Sequence, residues 1–139
     1  MNTEVKPYWE RLELSPEVVR IVKDALKSKL WQGTWPEQLT KLALLNRLMC
    51  VYYDVDEVEV KLLPGIQSPC YIFGKKIILN RPSLVSWAHE FAHHLLYSQG
   101  KAQNEDFPRA FSLGLFYRAA PKMFEEARKR GRLLFAEAS

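Results

Sequence analysis

His89-Glu90-Phe91-Ala92-His93 is the stretch that decides how this chain is read. Residues four apart lie on one face of a helix, so both imidazoles can reach one metal ion. Glu90, about 100° further round, can reach a water on that ion without being a ligand. Two neutral imidazoles, a carboxylate and one open position are the set that a catalytic Zn²⁺ takes.

The pattern carries this chemistry only on a helix. At about 100° per residue, Leu84, Val85, Trp87, Ala88, Phe91, Ala92, Leu95 and Leu96 fill about half the circle. His89 and His93 fall at the edge of that arc, with Ser86, Glu90 and Tyr97 beyond it. A half-buried helix with a polar seam follows, and Pro82-Ser83 supply its start. His94 points about 100° away from His93, as a packing or substrate-contact residue rather than a ligand.

Upstream, Ser15-Pro16-Glu17 reads as cap, first-turn proline and first-turn acid, opening a helix that ends near Trp31-Gln32-Gly33. Thr34-Trp35-Pro36-Glu37 repeats the signal and opens a second helix running to about Tyr53. Their broad apolar faces favour plain packing over helix-turn-helix DNA binding. Residues 1–14 read as an irregular arm, with Tyr8, Trp9 and Leu12 able to pack on the body. Glu57 to Leu62 then alternates strictly, as a half-buried strand does. Cys70–Phe73 and Lys76–Leu79 flank Gly74-Lys75, a hairpin signal. A small antiparallel sheet is expected, delivering the chain through Asn80-Arg81-Pro82 into the histidine helix.

Gly100 stops that helix. Asn104-Glu105-Asp106 opens the next, with Asn as cap and two acids at the positive end of the dipole. It ends before Pro121, which begins a final helix to about Phe135. The fold class expected is α+β, in a single domain over residues 1–139.

At 139 residues, with 47% apolar and 26% charged side chains, the chain has an ordinary globular composition. No apolar run approaches the roughly 20 residues of a membrane span. The first residues contain no apolar core of a signal peptide, so a cytoplasmic location is expected. The net charge of +4 gathers in Arg128-Lys129-Arg130-Gly131-Arg132. Glu125 and Glu126 stand four residues before Lys129 and Arg130, so this run reads as a solvated helix face rather than a nucleic-acid patch. Cys50 and Cys70 make no disulfide framework and are expected to be buried thiols. Neither belongs to a short ligand pair, which argues against a structural zinc built on them.

Two histidines hold zinc poorly without a third ligand. Glu105 and Asp106 open the helix right after the histidine helix, so a short loop can fold either back beside it. Both acids also suit simple dipole compensation.

The helical N-terminal portion, the hairpin ending in Ile77-Ile78-Leu79-Asn80, His89-Glu90-Phe91-Ala92-His93, and Glu105 followed by Phe111-Ser112 and Leu115 together resemble the ImmA/IrrE-type metallopeptidases. These are small gluzincins, and the resemblance spans roughly residues 36–120. It implies a zincin-like domain, with His89 and His93 as zinc ligands and Glu90 as general base. The family's third ligand stands six residues before a Phe and a small residue, which is where Glu105 stands relative to Phe111-Ser112. One turn after that ligand the family often has a carboxylate or amide supporting the site. Here that position is Arg109, which leaves the support of the imidazoles unassigned.

The expected activity is therefore zinc-dependent peptide-bond hydrolysis on a protein or peptide substrate, with no nucleic-acid or membrane partner. Tyr97, two turns beyond Glu90 on the same flank, is the candidate to stabilise the oxyanion. An exposed strand edge, in Cys70–Phe73 or Ile77–Leu79, is expected beside the cleft to bind the substrate backbone. The rival reading is an inactive zincin-fold binding module that holds a regulatory partner such as a transcriptional repressor.

Overall fold

Side-chain caps start the main helices where the sequence offers them. The structure, a computed structural model, describes residues 6–133. Its elements are helices α1 (Tyr8–Arg11), α2 (Pro16–Lys27) and α3 (Trp35–Tyr53), strands β1 (Glu59–Leu62), β2 (Cys70–Ile72) and β3 (Lys76–Leu79), then helices α4 (Leu84–Ser98), α5 (Asp106–Ala119) and α6 (Pro121–Lys129). The Ser15 hydroxyl accepts from Val18 N–H at 3.2 Å, and Ser83 does the same for Ser86 at 3.2 Å. Thr34 and Glu37 form a reciprocal capping box at the start of α3. At α5 the Asn104 side chain accepts from Phe107 N–H at 2.9 Å, the cap expected of it.

Glycine ends two helices by the same device. Gly100 (φ +67°) and Gly131 (φ +68°) take the left-handed conformation that side-chain-bearing residues avoid. Behind them, Lys101 N–H closes on Leu96 O and Arg132 N–H on Ala127 O, each at 2.9 Å. The last helix thus stops at Lys129 instead of continuing to Phe135, and Leu134 and Phe135 lie outside the described residues. The first long helix also ends earlier than its apolar pattern suggested, at Lys27, and Leu30 is buried from the turn that follows.

The sheet corrects one expectation. Its order is β1-β3-β2, with β2 antiparallel to β3 but β1 parallel to β3. It is mixed, not antiparallel. The burial of each strand explains the order. Ile77, Ile78 and Leu79 are all buried, so β3 takes the centre, while alternating Glu59-Val60-Lys61-Leu62 suits an edge. Ile77–Leu79 is therefore paired on both sides, and Cys70–Ile72 is the open edge on the hairpin side.

One apolar core runs through the molecule. Trp87 and Phe91 of α4 are fully buried with Leu42, Leu45 and Met49 of α3 and Phe111 of α5. Asn46 is the polar exception. Its amide donates to Val58 O at 2.9 Å and accepts from the Trp87 indole N–H at 3.0 Å. A buried amide so satisfied ties α3 to the strand region and to α4.

The N-terminal arm is more ordered than expected. Residues 8–11 form a helical turn, and Trp9 is buried against Tyr117 and Phe124. The Arg118 guanidinium donates to the carbonyls of Glu10 (2.9 Å) and Leu12 (2.8 Å), fixing the arm onto α5. Gly114 permits that approach, because a Cβ there would lie 2.7 Å from Trp9 O.

Among the described residues no helix is long and apolar enough to cross a membrane. Cys50 is buried as expected, but Cys70 is exposed on the edge strand. On α6, exposed Glu126 pairs with exposed Arg130 at 3.5 Å and half-exposed Glu125 with half-exposed Arg128 at 3.9 Å, in the manner of a solvated face.

Candidate metal centre

Helix α4 holds His89, Glu90 and His93 on one flank, with possible ligand atoms within 4.8 Å of one another. The Gly100 reversal then brings the chain back along α4. That short return places Glu105 against both histidines. Its Oε2 lies 3.0 Å from His89 Nε2 and its Oε1 3.2 Å from His93 Nε2. Glu105, rather than Asp106, is the acid that faces both imidazoles.

Gln103, a residue that sequence reasoning missed, orients His93. The Gln103 amide nitrogen donates to the His93 backbone carbonyl at 3.0 Å. A carbonyl only accepts, so the amide oxygen must be the atom 2.7 Å from His93 Nδ1. Nδ1 carries a proton and donates it to Gln103. The lone pair of a neutral His93 then sits on Nε2, aimed at Glu105. Two acceptors 3.2 Å apart need a proton or a metal ion between them.

The charge states fit a cation. Burial holds the His89 imidazole below its ordinary range despite the Glu105 carboxylate, so it favours the neutral form a ligand needs. The carboxylate raises that value, while the charges of His93 and Arg109 lower it further. Glu90 is 7% exposed, and burial raises its carboxyl above the usual range, opposed by His93 and reinforced by Glu105. A carboxyl pushed toward neutrality is suited to take and return a proton. Two imidazole nitrogens and a carboxylate make a donor set that fits a divalent ion.

His94 belongs to a different network. It is 1% exposed. Its Nε2–H donates to Asp56 O at 2.7 Å, and its Nδ1 accepts from the Tyr71 hydroxyl at 2.5 Å. Tyr71 in turn accepts from Gly74 N–H at 2.7 Å. This chain fastens the β2–β3 turn to α4 and keeps His94 away from the metal flank.

Tyr97 is not among the residues that line the cavity beside the histidines. Its ring stacks on Phe73 at 5.5 Å and lies against Gly74 at the hairpin turn. The cavity beside the histidines is lined instead by Tyr71, Phe73, Glu90, His93 and Gln103. Tyr97 packs on two residues of that lining, Tyr71 and Phe73, without lining the cavity itself.

Comparison with protein-family models, curated proteins and solved structures finds no match to this chain.

Proposed function

We propose that this chain is a zinc-dependent peptidase in which Glu90 is the general base. The observation that carries the reading is the convergence of His89 Nε2, His93 Nε2 and the Glu105 carboxylate beside a buried Glu90. His89, His93 and Glu105 would hold the ion, and two imidazoles with one carboxylate favour zinc. When bound, zinc supplies Lewis acidity, polarising a carbonyl and acidifying water.

The rest falls to the chain's own residues. Gln103 keeps His93 in the tautomer that presents Nε2. Glu90 takes the proton of the attacking water and passes it to the leaving amine. The open edge of β2, whose Tyr71 lines the same cavity as Glu90, offers its backbone to an extended protein or peptide substrate. The likeness of the motifs to ImmA/IrrE-type metallopeptidases supports the same reading.

Purified protein should carry about one zinc per chain, lost in His89→Ala and Glu105→Ala. Glu90→Gln should keep its zinc while peptidase activity falls at least about 100-fold. Equal activity in Glu90→Gln and wild type would exclude this mechanism. A zinc-loaded wild type inactive on a broad set of proteins would favour the binding-module reading.

A further inference from the structure

Beside His89, a cavity of about 260 Å³ has Pro69, Val85, Leu113 and Leu133 as its apolar walls. His89 and Arg132 also line it. A larger cavity of about 510 Å³ shares Val85, Ser86, Arg132 and Leu133 with the first and adds Arg81. The two are thus neighbouring parts of one groove that begins at a metal-binding histidine.

The charge in this groove has one sign. No Asp or Glu lines either cavity. Neither Arg81 nor Arg132 has an ion-pair partner among the described residues. The first turn of α4, on the wall of the larger cavity, contains no acid to offset its N–H ends. Two guanidinium groups in a concavity with no counter-charge select a carboxylate and reject a cation.

We infer that this groove reads the substrate: an apolar side chain next to the scissile bond seats among Val85, Leu113 and Leu133, and an acidic group further along is held by Arg132 and Arg81. This rests on the peptidase reading. Spacing along α4 sets the distance between the two features. From His89 back to Ser83, beside Arg81, is six residues, about 9 Å of helix, or roughly three residues of extended peptide. The acid should stand two or three residues from the scissile bond.

The test is binding to zinc-loaded Glu90→Gln protein, which needs no turnover. Its failure is therefore distinguishable from failure of the peptidase reading, which the wild-type activity assay decides. The probes are fluorescein-labelled alanine peptides with a central Leu and a single Asp, Asn or Lys placed one to three positions away on either side. At one placement the Asp peptide should bind at least about tenfold more tightly than its Lys counterpart, the Asn peptide falling between. Adding Arg132→Glu or Arg81→Glu should abolish or reverse that order. Circular dichroism identifies any misfolded variant, and Arg132→Gln provides a milder change expected to reduce the preference. The inference is overturned if no placement favours Asp over Lys, or if the preference survives both charge reversals. Binding of single-stranded DNA by a protein that shows no peptide preference would also overturn it.

Discussion

Gln103 grips His93 at two points, accepting from its ring Nδ1–H at 2.7 Å and donating to its backbone carbonyl at 3.0 Å. The second bond fixes which end of the amide faces the ring, and the ring's tautomer follows. Such outer partners typically contribute 10–100-fold in metal affinity. Gln103→Leu should weaken zinc binding by about that factor in a chelator competition, with little change in thermal stability, because Gln103 is exposed. Unchanged affinity would remove Gln103 from the site.

Much of the fold was legible because local signals and burial agreed. Ser15, Thr34, Ser83 and Asn104 cap helices as their positions suggest, and the α4 pattern placed His89, Glu90 and His93 on one flank. Lys76–Leu79 was legible as a strand but not as the central one, since either strand of the hairpin could have been the edge. What periodicity does not encode is strand direction, so the parallel pairing of β1 with β3 was hidden. Tyr97 shows a related limit. Its phase on the helix matched Glu90, but seven residues are about 10 Å of travel, and its ring packs on Phe73, a residue of the cavity wall, rather than lining the cavity itself. Gln103 was illegible for another reason. A lone glutamine in a loop has no pattern until the Gly100 turn folds it back on α4.

Gly114 separates helix propensity from packing. Alanine is favoured over glycine by about 1 kcal/mol within a helix. Here an added Cβ would stand 2.7 Å from Trp9 O and 2.8 Å from the Arg118 guanidinium, displacing the arm that Arg118 secures. The clash should win. Gly114→Ala is expected to lose about 1–3 kcal/mol of stability in urea unfolding and to shift Trp9 fluorescence to the red. A variant more stable than wild type would show that the arm is held too weakly to matter.

The two thiols should react very differently. Burial raises the Cys50 thiol to about 11, so at pH 8 it is almost entirely protonated as well as shielded. Cys70 is exposed. Native protein should take up one equivalent of a thiol reagent at pH 8 and a second only after unfolding. Rapid reaction at both sites in the folded protein would mean that the packing around Cys50 opens readily.

The hairpin predicts how a substrate backbone is held. Lys75 N–H donates to Ile72 O at 2.9 Å across the turn, so the backbone groups of Ile72 face β3. Alternation then turns the N–H and C=O of Tyr71 outward, at the open edge beside Glu90 and His93. A peptide that adds as a strand can use only alternate residues for this pairing. In a peptide that binds the Glu90→Gln protein, single backbone N-methyl groups scanned along the chain should weaken binding at least about tenfold at alternate positions and little between them. An equal response at every position, or none at any, would exclude the β2 edge as the backbone site.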